Sequence, residues 1–150
     1  MSTQSTLVLV KPDGVNRGLI GNVVSRLENS GLKISGLKIL KINQELAKEH
    51  YSEHKDKPFF PSLLSFITSS PVVAIILSGP DAISKTRSLM GSTNPLDSAP
   101  GTVRGDLGLS VEKNIIHGSA NQSDAEREIK LYFNDDEIVN YKRSIDDWII

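Results

Sequence analysis

The sequence predicts an α+β sandwich, a four-stranded antiparallel sheet with helices packed against it. Three observations carry that prediction. Strand-like and helix-like periodicities alternate along the chain in the order β-α-β-α-β-α-β. The two most continuous apolar runs, residues 7–10 and 72–77, fall in the first and third strands of that order. A strand apolar on both faces belongs in the interior of a sheet. Finally, 150 residues at 38% apolar and 23% charged suit one domain, residues 1–150. A chain of that size buries roughly two-thirds of its unfolded surface and needs no staples.

Each element has its own local reason. Residues 7–10 (LVLV) form a strand, and the breaker Lys11-Pro12-Asp13-Gly14 reads as the turn that stops it. Leu19, Ile20, Val23, Val24 and Leu27 share one helical face, with Gly31 placed to end the helix. Residues 32–42 are β-like, Gly36 marking a bulge or bend. Residues 46–54 look helical, and a second short helix follows Pro61. Gly79-Pro80 stops the strand at 72–77, and 82–90 is again helical. Residues 91–113 carry Gly, Pro, Ser, Thr and Asp with little periodicity, as functional loops and assembly surfaces do. Residues 114–117 form a brief strand. Ser123-Asp-Ala-Glu126 matches a capping box opening a last helix, with Ala125, Ile129, Tyr132 and Phe133 inward. The apolar end Trp148-Ile149-Ile150 is expected to dock rather than stand in solvent. In the ferredoxin-like order of such a sheet, the first and third strands are the inner pair.

Composition removes several classes of function. A formal net charge of −1 argues against a broadly basic nucleic-acid binder, so any anionic ligand needs a local cluster of cations. No aromatic cluster of the kind that stacks RNA bases is present either. The absence of cysteine excludes disulfides, thiol nucleophiles and zinc–thiolate sites. The N-terminal segment lacks a basic n-region, and the longest apolar stretch falls far short of the ~20 residues that span a bilayer. A soluble, cytoplasmic protein is expected.

Familiar motifs are missing. Neither a P-loop nor a G-x-G-x-x-G fingerprint occurs, nor does the protein-kinase set. His50-Tyr-Ser-Glu-His54 matches H-x-x-E-H, which would put two histidines on one helical face as a zinc pair requires. No glycine-flanked third-ligand motif follows, and a charged amphipathic helix is the simpler reading.

Three segments remain: Lys11-Pro12-Asp13-Gly14, the loop from Gly91-Ser-Thr-Asn-Pro-Leu-Asp-Ser through Ala99-Pro-Gly-Thr-Val-Arg104-Gly-Asp106, and Asn114-Ile-Ile-His117-Gly-Ser119. Taken together they closely resemble the nucleoside diphosphate kinase family, and the resemblance covers essentially the whole chain. It implies an enzyme that moves the γ-phosphoryl group of a nucleoside triphosphate to a nucleoside diphosphate by a ping-pong route. The expected intermediate is a phosphohistidine on His117. The chemistry is sound, since an unperturbed imidazole is roughly three-quarters neutral at pH 7 and keeps one free lone pair. A hydrogen-bonded core histidine is the purely structural alternative.

Glu128 falls on the inward stripe of its helix, where a carboxylate needs a partner. A structural ion pair would satisfy it. The resemblance instead sets it against the His117 ring with Ser119 beside it, stabilising positive charge in the transition state. It also implies that Lys11, Arg87 and Arg104 hold phosphates, helped by the Thr93 hydroxyl. Asn114 and Lys11 would touch the ribose, with Tyr51 supporting Lys11. By the same resemblance Phe59 would stack on the base. Two adjacent aromatics cannot face the same way on a regular helix, so one ring of Phe59-Phe60 is expected to be exposed; the alternative is that both are core. Mg²⁺ is the implied cofactor, held mainly by nucleotide phosphates. A homo-oligomer, hexamer or tetramer, is implied as well, with the Pro95-containing loop and the C-terminal end as contacts. Leu107 stands where the family usually has an aromatic residue, and Ala120 where it has aspartate, so Asn121 or Ser123 must cap the last helix. A catalytically silent nucleotide-binding regulatory domain is the rival.

Overall fold

The computed structural model describes residues 3–149; Met1 and Ser2 of the predicted domain, and Ile150 of the apolar end, lie outside them. Four strands form one sheet: β1 Thr3–Val10, β2 Lys33–Leu40, β3 Val72–Pro80 and β4 Ile116–Gly118. Their order is β2-β3-β1-β4, and all neighbours are antiparallel. The two continuous apolar runs are therefore the inner strands, as the sequence predicts.

Alternation along β1 divides the core into two layers. Val8 and Val10 face one side, where they meet Val23, Leu27, Val73, Ile75 and Leu77. Leu7 and Leu9 face the other, against Ala47, Ile67, Val72, Ala74 and Ile76. Helices α2 (Ile20–Asn29), α5 (Ala82–Met90) and α6 (Val103–Leu107) cover the first face; α3 (Gln44–His50), α4 (Phe60–Ile67) and α7 (Gln122–Tyr132) cover the second. The remaining helix, α1, spans Pro12–Asn16. Leu7, Leu9, Ile75 and Leu77 have no exposed surface, and each such side chain contributes about 1.5–3 kcal/mol. That rigid inner pair is the platform on which the ends of β1 and β4 present side chains.

Several local readings change. The breaker at Lys11 is no simple turn but the start of α1, with Pro12 at the first helical position, where its missing N–H costs nothing. β3 continues through Gly79-Pro80, which tolerates this because Pro80 is its last residue. The stretch at 46–54 splits: α3 stops at His50, and Ser52–His54 form one 3₁₀ turn. His50 and His54 therefore share no α-helical face, and the H-x-x-E-H pair does not form as a zinc site requires. The irregular loop contains a 3₁₀ turn, Pro95–Asp97, and α6. The last helix is capped by Asn121, whose side chain accepts from the Asp124 N–H; the Ser123 capping box does not form. Asparagine is among the strongest N-caps, and here it begins the helix two residues earlier.

Gly31 ends α2 with φ +96°, and Gly36 marks a register shift between β2 and β3, both as predicted. Trp148 is 88% exposed, so the apolar end does not dock on its own chain there. Ile149 does lie along the turn at Gly31.

Candidate active site

A cavity of about 600 Å³ opens beside the C-terminal end of β1. Lys11, Tyr51, Phe59, Thr93, Arg104, Asn114 and His117, all predicted site residues, line it. Residues 11, 51–59, 93–104 and 114–117 lie far apart in sequence, and the antiparallel pairing of β1 with β4 brings the first and last together. His117 sits opposite Leu9 in that pairing.

The backbone before His117 is strained. Ile115 has φ +73°, a genuine outlier for a β-branched residue, costing of the order of 1–3 kcal/mol. Two contacts hold it: its N–H donates to Asp13 Oδ2 at 3.0 Å, and its carbonyl accepts from the Lys11 N–H at 2.8 Å. The kink turns Asn114 inward, where it is 4% exposed. Asn114 Oδ1 accepts from Lys11 Nζ, and its Nδ2 donates to the Thr93 carbonyl at 2.9 Å. One amide thus ties the end of β1 to the irregular loop. On the far side of His117, Gly118 leaves room for Met90 Sδ, which a Cβ there would strike.

His117 and Glu128 are in direct contact. Nε2 of His117 lies 2.9 Å from Glu128 Oε1, and the Ser119 hydroxyl donates to the same oxygen at 2.8 Å. Ser119 Oγ in turn accepts from the Leu7 N–H at 3.3 Å, which locks it to β1. Glu128 is 4% exposed, so the predicted inward carboxylate is real; its close partner is His117, and Arg127 Nη2 stands 3.9 Å from its other oxygen. Burial pushes its carboxyl up, but the hydrogen bond and charge of His117 and the Ser119 hydroxyl outweigh that and hold it below the usual range.

The cations occupy different settings. Burial lowers the Lys11 ammonium, Asp13 pulls it back up and Arg104 lowers it further, leaving it at about 8. Arg104 is 7% exposed and held at about 10 by burial, with the Arg87 charge adding to the effect. Its guanidinium donates to the carbonyls of Asn114 (3.2 Å), Gly91 (3.3 Å) and Ile116 (2.6 Å). Arg104 therefore braces the loop as well as lining the cavity, a role the sequence did not indicate. Arg87, on the exposed side of α5, is not in the lining; it donates to the Gly118 carbonyl at 3.1 Å, one residue from His117.

At the opposite wall Phe59 is 48% exposed, whereas its neighbour Phe60 packs into the core, resolving the adjacent pair as expected. Tyr51 makes no hydrogen bond to Lys11. It stacks on His50 instead, at 4.4 Å and 17°, and burial pushes its phenol up. Leu107 packs against the core face covered by α6, and the site stands without an acid at Ala120 because Asn121 supplies the cap.

Three contributors escaped sequence reasoning. Asp13 and Ile115 act through backbone geometry that no local pattern encodes. His50 reads from the sequence as part of a zinc motif or of a charged amphipathic helix, yet it is 2% exposed and lies against the His117 ring.

Comparison with known proteins gives the family and the fold. The family model for nucleoside diphosphate kinase matches residues 4–138. A nucleoside diphosphate kinase of Archaeoglobus fulgidus is 54% identical over 146 residues, 97% of this chain and 97% of that one. One from Natronomonas pharaonis is 54% identical over 148 residues, 98% of this chain and 97% of that one. Among solved structures, a halophilic nucleoside diphosphate kinase from Halobacterium salinarum in complex with CDP superimposes with a TM-score of 0.97 at 52% identity, covering 99% of both chains. A transition-state mimic of the Borrelia burgdorferi enzyme with vanadate and ADP gives 0.91 at 42% identity, covering 99% of this chain and 98% of that one.

Proposed function

Since this chain belongs to the nucleoside diphosphate kinase family and transfers phosphoryl groups between nucleotides, we propose that the group is carried on Nδ1 of His117. One observation supports this most: Glu128 engages Nε2 at 2.9 Å, leaving Nδ1 as the nitrogen with a free lone pair on a ring that lines the cavity. The Nδ1 lone pair forms an N–P bond to the γ-phosphorus while the bond to the β,γ-bridging oxygen breaks. The nucleoside diphosphate leaves with that electron pair. A second nucleoside diphosphate then attacks the phosphohistidine in the reverse sense, so the route is ping-pong. Positive charge that develops on the ring is met by the ionised Glu128 carboxylate.

The remaining residues fit the two substrates. Lys11 and Arg104 line the cavity and Arg87 flanks it, which suits a polyphosphate that a chain of net charge −1 could hold only locally. Thr93 adds a hydroxyl, Asn114 and Lys11 face the ribose, Phe59 offers a stacking surface, and Tyr51 closes the wall behind it. Glu112 is the only carboxylate in the described lining. That donor set fits a magnesium ion bound chiefly by nucleotide phosphates, where it neutralises charge.

The assembly is a homo-oligomer, hexamer or tetramer. Leu37 and Ile39 on the edge strand β2, Leu96 beside Pro95, and Trp148 stand 52%, 63%, 74% and 88% exposed, apolar side chains that contacts between copies would cover. No described helix is long and apolar enough to cross a membrane. We assign the protein to the cytoplasm, without stable nucleic-acid binding. The catalytically silent rival is not supported, because relatives about half identical over nearly the full chain are kinases.

Incubation with ATP and Mg²⁺ should add one phosphoryl group, mapped to His117, and His117→Asn should lose at least ~10⁴-fold of the activity. Label retained on another residue of that variant, or intersecting initial-rate lines under all conditions, would overturn the proposal.

A further inference from the structure

His50 is the deeply buried group at the site that the phosphohistidine route leaves unused. Its Nδ1 lies 2.6 Å from the Tyr132 hydroxyl, while Nε2 is buried without a hydrogen-bond partner. That nitrogen points toward Glu128, 3.7 Å from Oε2, the carboxylate oxygen that neither His117 nor Ser119 engages. The His50 ring also meets the edge of the His117 ring, with centroids 4.6 Å apart at 73°. Arg127 approaches Glu128 Oε2 from the solvent side, its Nη2 at 3.9 Å, and donates to the Glu49 carbonyl at 3.0 Å, which ties the end of α3 to α7.

The protonation pattern follows from these neighbours. Burial drives the imidazolium down to about 3, so His50 is neutral and carries a single N–H. With that proton on Nδ1, the Nε2 lone pair would face the carboxylate lone pairs at close range. With it on Nε2, the Tyr132 hydroxyl donates to Nδ1 and the N–H dipole faces Glu128. The second arrangement turns a repulsion into an attraction. At 3.7 Å the contact is electrostatic rather than a formed hydrogen bond, and contacts of this kind commonly tighten as the substrate complex forms.

We propose that His50 is a positioning residue for phosphoryl transfer, held by Tyr132 so that its Nε2–H steadies the second oxygen of Glu128 while the first oxygen meets His117. The proposal rests on His117 as nucleophile. Its consequence is that the carboxylate cannot swing or take up a proton as charge builds on the His117 ring. His50 lies outside the cavity lining, so it acts on the chemical step and not on nucleotide binding.

The test has two independent arms. In the wild-type enzyme, ¹⁵N resonances should show His50 protonated at Nε2 and unprotonated at Nδ1; an Nδ1–H tautomer would refute the proposal whatever any variant does. In rapid-quench phosphorylation at saturating ATP, His50→Leu should slow phosphoenzyme formation by about 10–100-fold, the usual loss when the partner of a working group is removed. The ATP dissociation constant should move by less than about twofold. His50→Gln, whose amide can donate to Glu128 and accept from Tyr132, should recover most of the rate. Combined with Glu128→Gln, His50→Leu should add almost nothing, since the residue acts through Glu128. An unchanged rate in His50→Leu, or losses that multiply in the double variant, would sink the idea. Phosphate on a residue other than His117 would instead refute the nucleophile assignment, a different outcome read from the same samples. If His50→Leu fails to fold, the tautomer and His50→Gln decide.

Discussion

Replacing Glu128 with glutamine removes one charge while keeping shape and most hydrogen bonding. Oε1 of the new amide can still accept from Ser119, so the helix need not move. What is lost is the attraction between a carboxylate and the positive charge growing on a ring 2.9 Å away. Two full charges at that distance interact by about 1.4 kcal/mol in water and by about 6 kcal/mol at an effective dielectric near 20. Glu128 is almost fully buried and His117 partly so, which places the pair between those limits. A ring that has gained about half a charge in the transition state takes about half the energy, near 2 kcal/mol, or about 10–100-fold in rate. Stopped-flow or rapid-quench phosphorylation of His117 at saturating ATP reads this step directly. The variant should still form phosphoenzyme, only more slowly. A rate within about twofold of wild type would refute the electrostatic role, since the energy above cannot vanish. Unfolding with normal activity per folded molecule would show that the carboxylate serves structure alone.

Lys11 predicts a pH dependence. Its folded-state value near 8 lies below the ordinary 10.5, so the free enzyme loses this charge as pH rises through about 8, and kcat/KM for nucleotide should fall there. Lys11→Arg should shift that limb to higher pH. Arg104→Lys should cost about 2–4 kcal/mol of stability in thermal or denaturant unfolding, because an ammonium cannot serve three separate carbonyls; weakened triphosphate binding with unchanged stability would mean the carbonyl contacts are incidental. Phe59→Ala should cost about 1–3 kcal/mol in kcat/KM for guanine, adenine, cytosine and uracil substrates alike, since stacking reads any base. A loss confined to one base would point to edge recognition instead.

How much of this was legible beforehand differs by residue. The strands at 7–10 and 72–77 announce themselves because unbroken apolar runs have only one place to go in a sheet, and Gly31 and Gly36 because glycine tolerates backbone that other residues avoid. His117, Lys11 and Phe59 could be named through the motifs that resemble the family, and Glu128 also from its place on the inward stripe of its helix. The readings that changed lie where two local solutions compete closely: Asn121 over Ser123 as cap, and a helix ending at His50 instead of running on to His54.

The sequence by itself determined the element order, the inner strands, the absence of thiol and P-loop chemistry, and the identity of seven residues around the cavity. The first three follow from periodicity and residue type over short spans, the last from the motifs that resemble the family. Tertiary structure alone decided that Arg104 braces three carbonyls, that Asp13 holds Ile115 in a left-handed conformation, and that His50 sits between Tyr132 and Glu128 across a separation of 82 residues to Tyr132. Such contacts join α6 and α1 to the segment entering β4, and α3 to α7. Their energies depend on distances between chain segments that no local pattern specifies, and so they appear only once the sheet has closed and excluded water from the space between them.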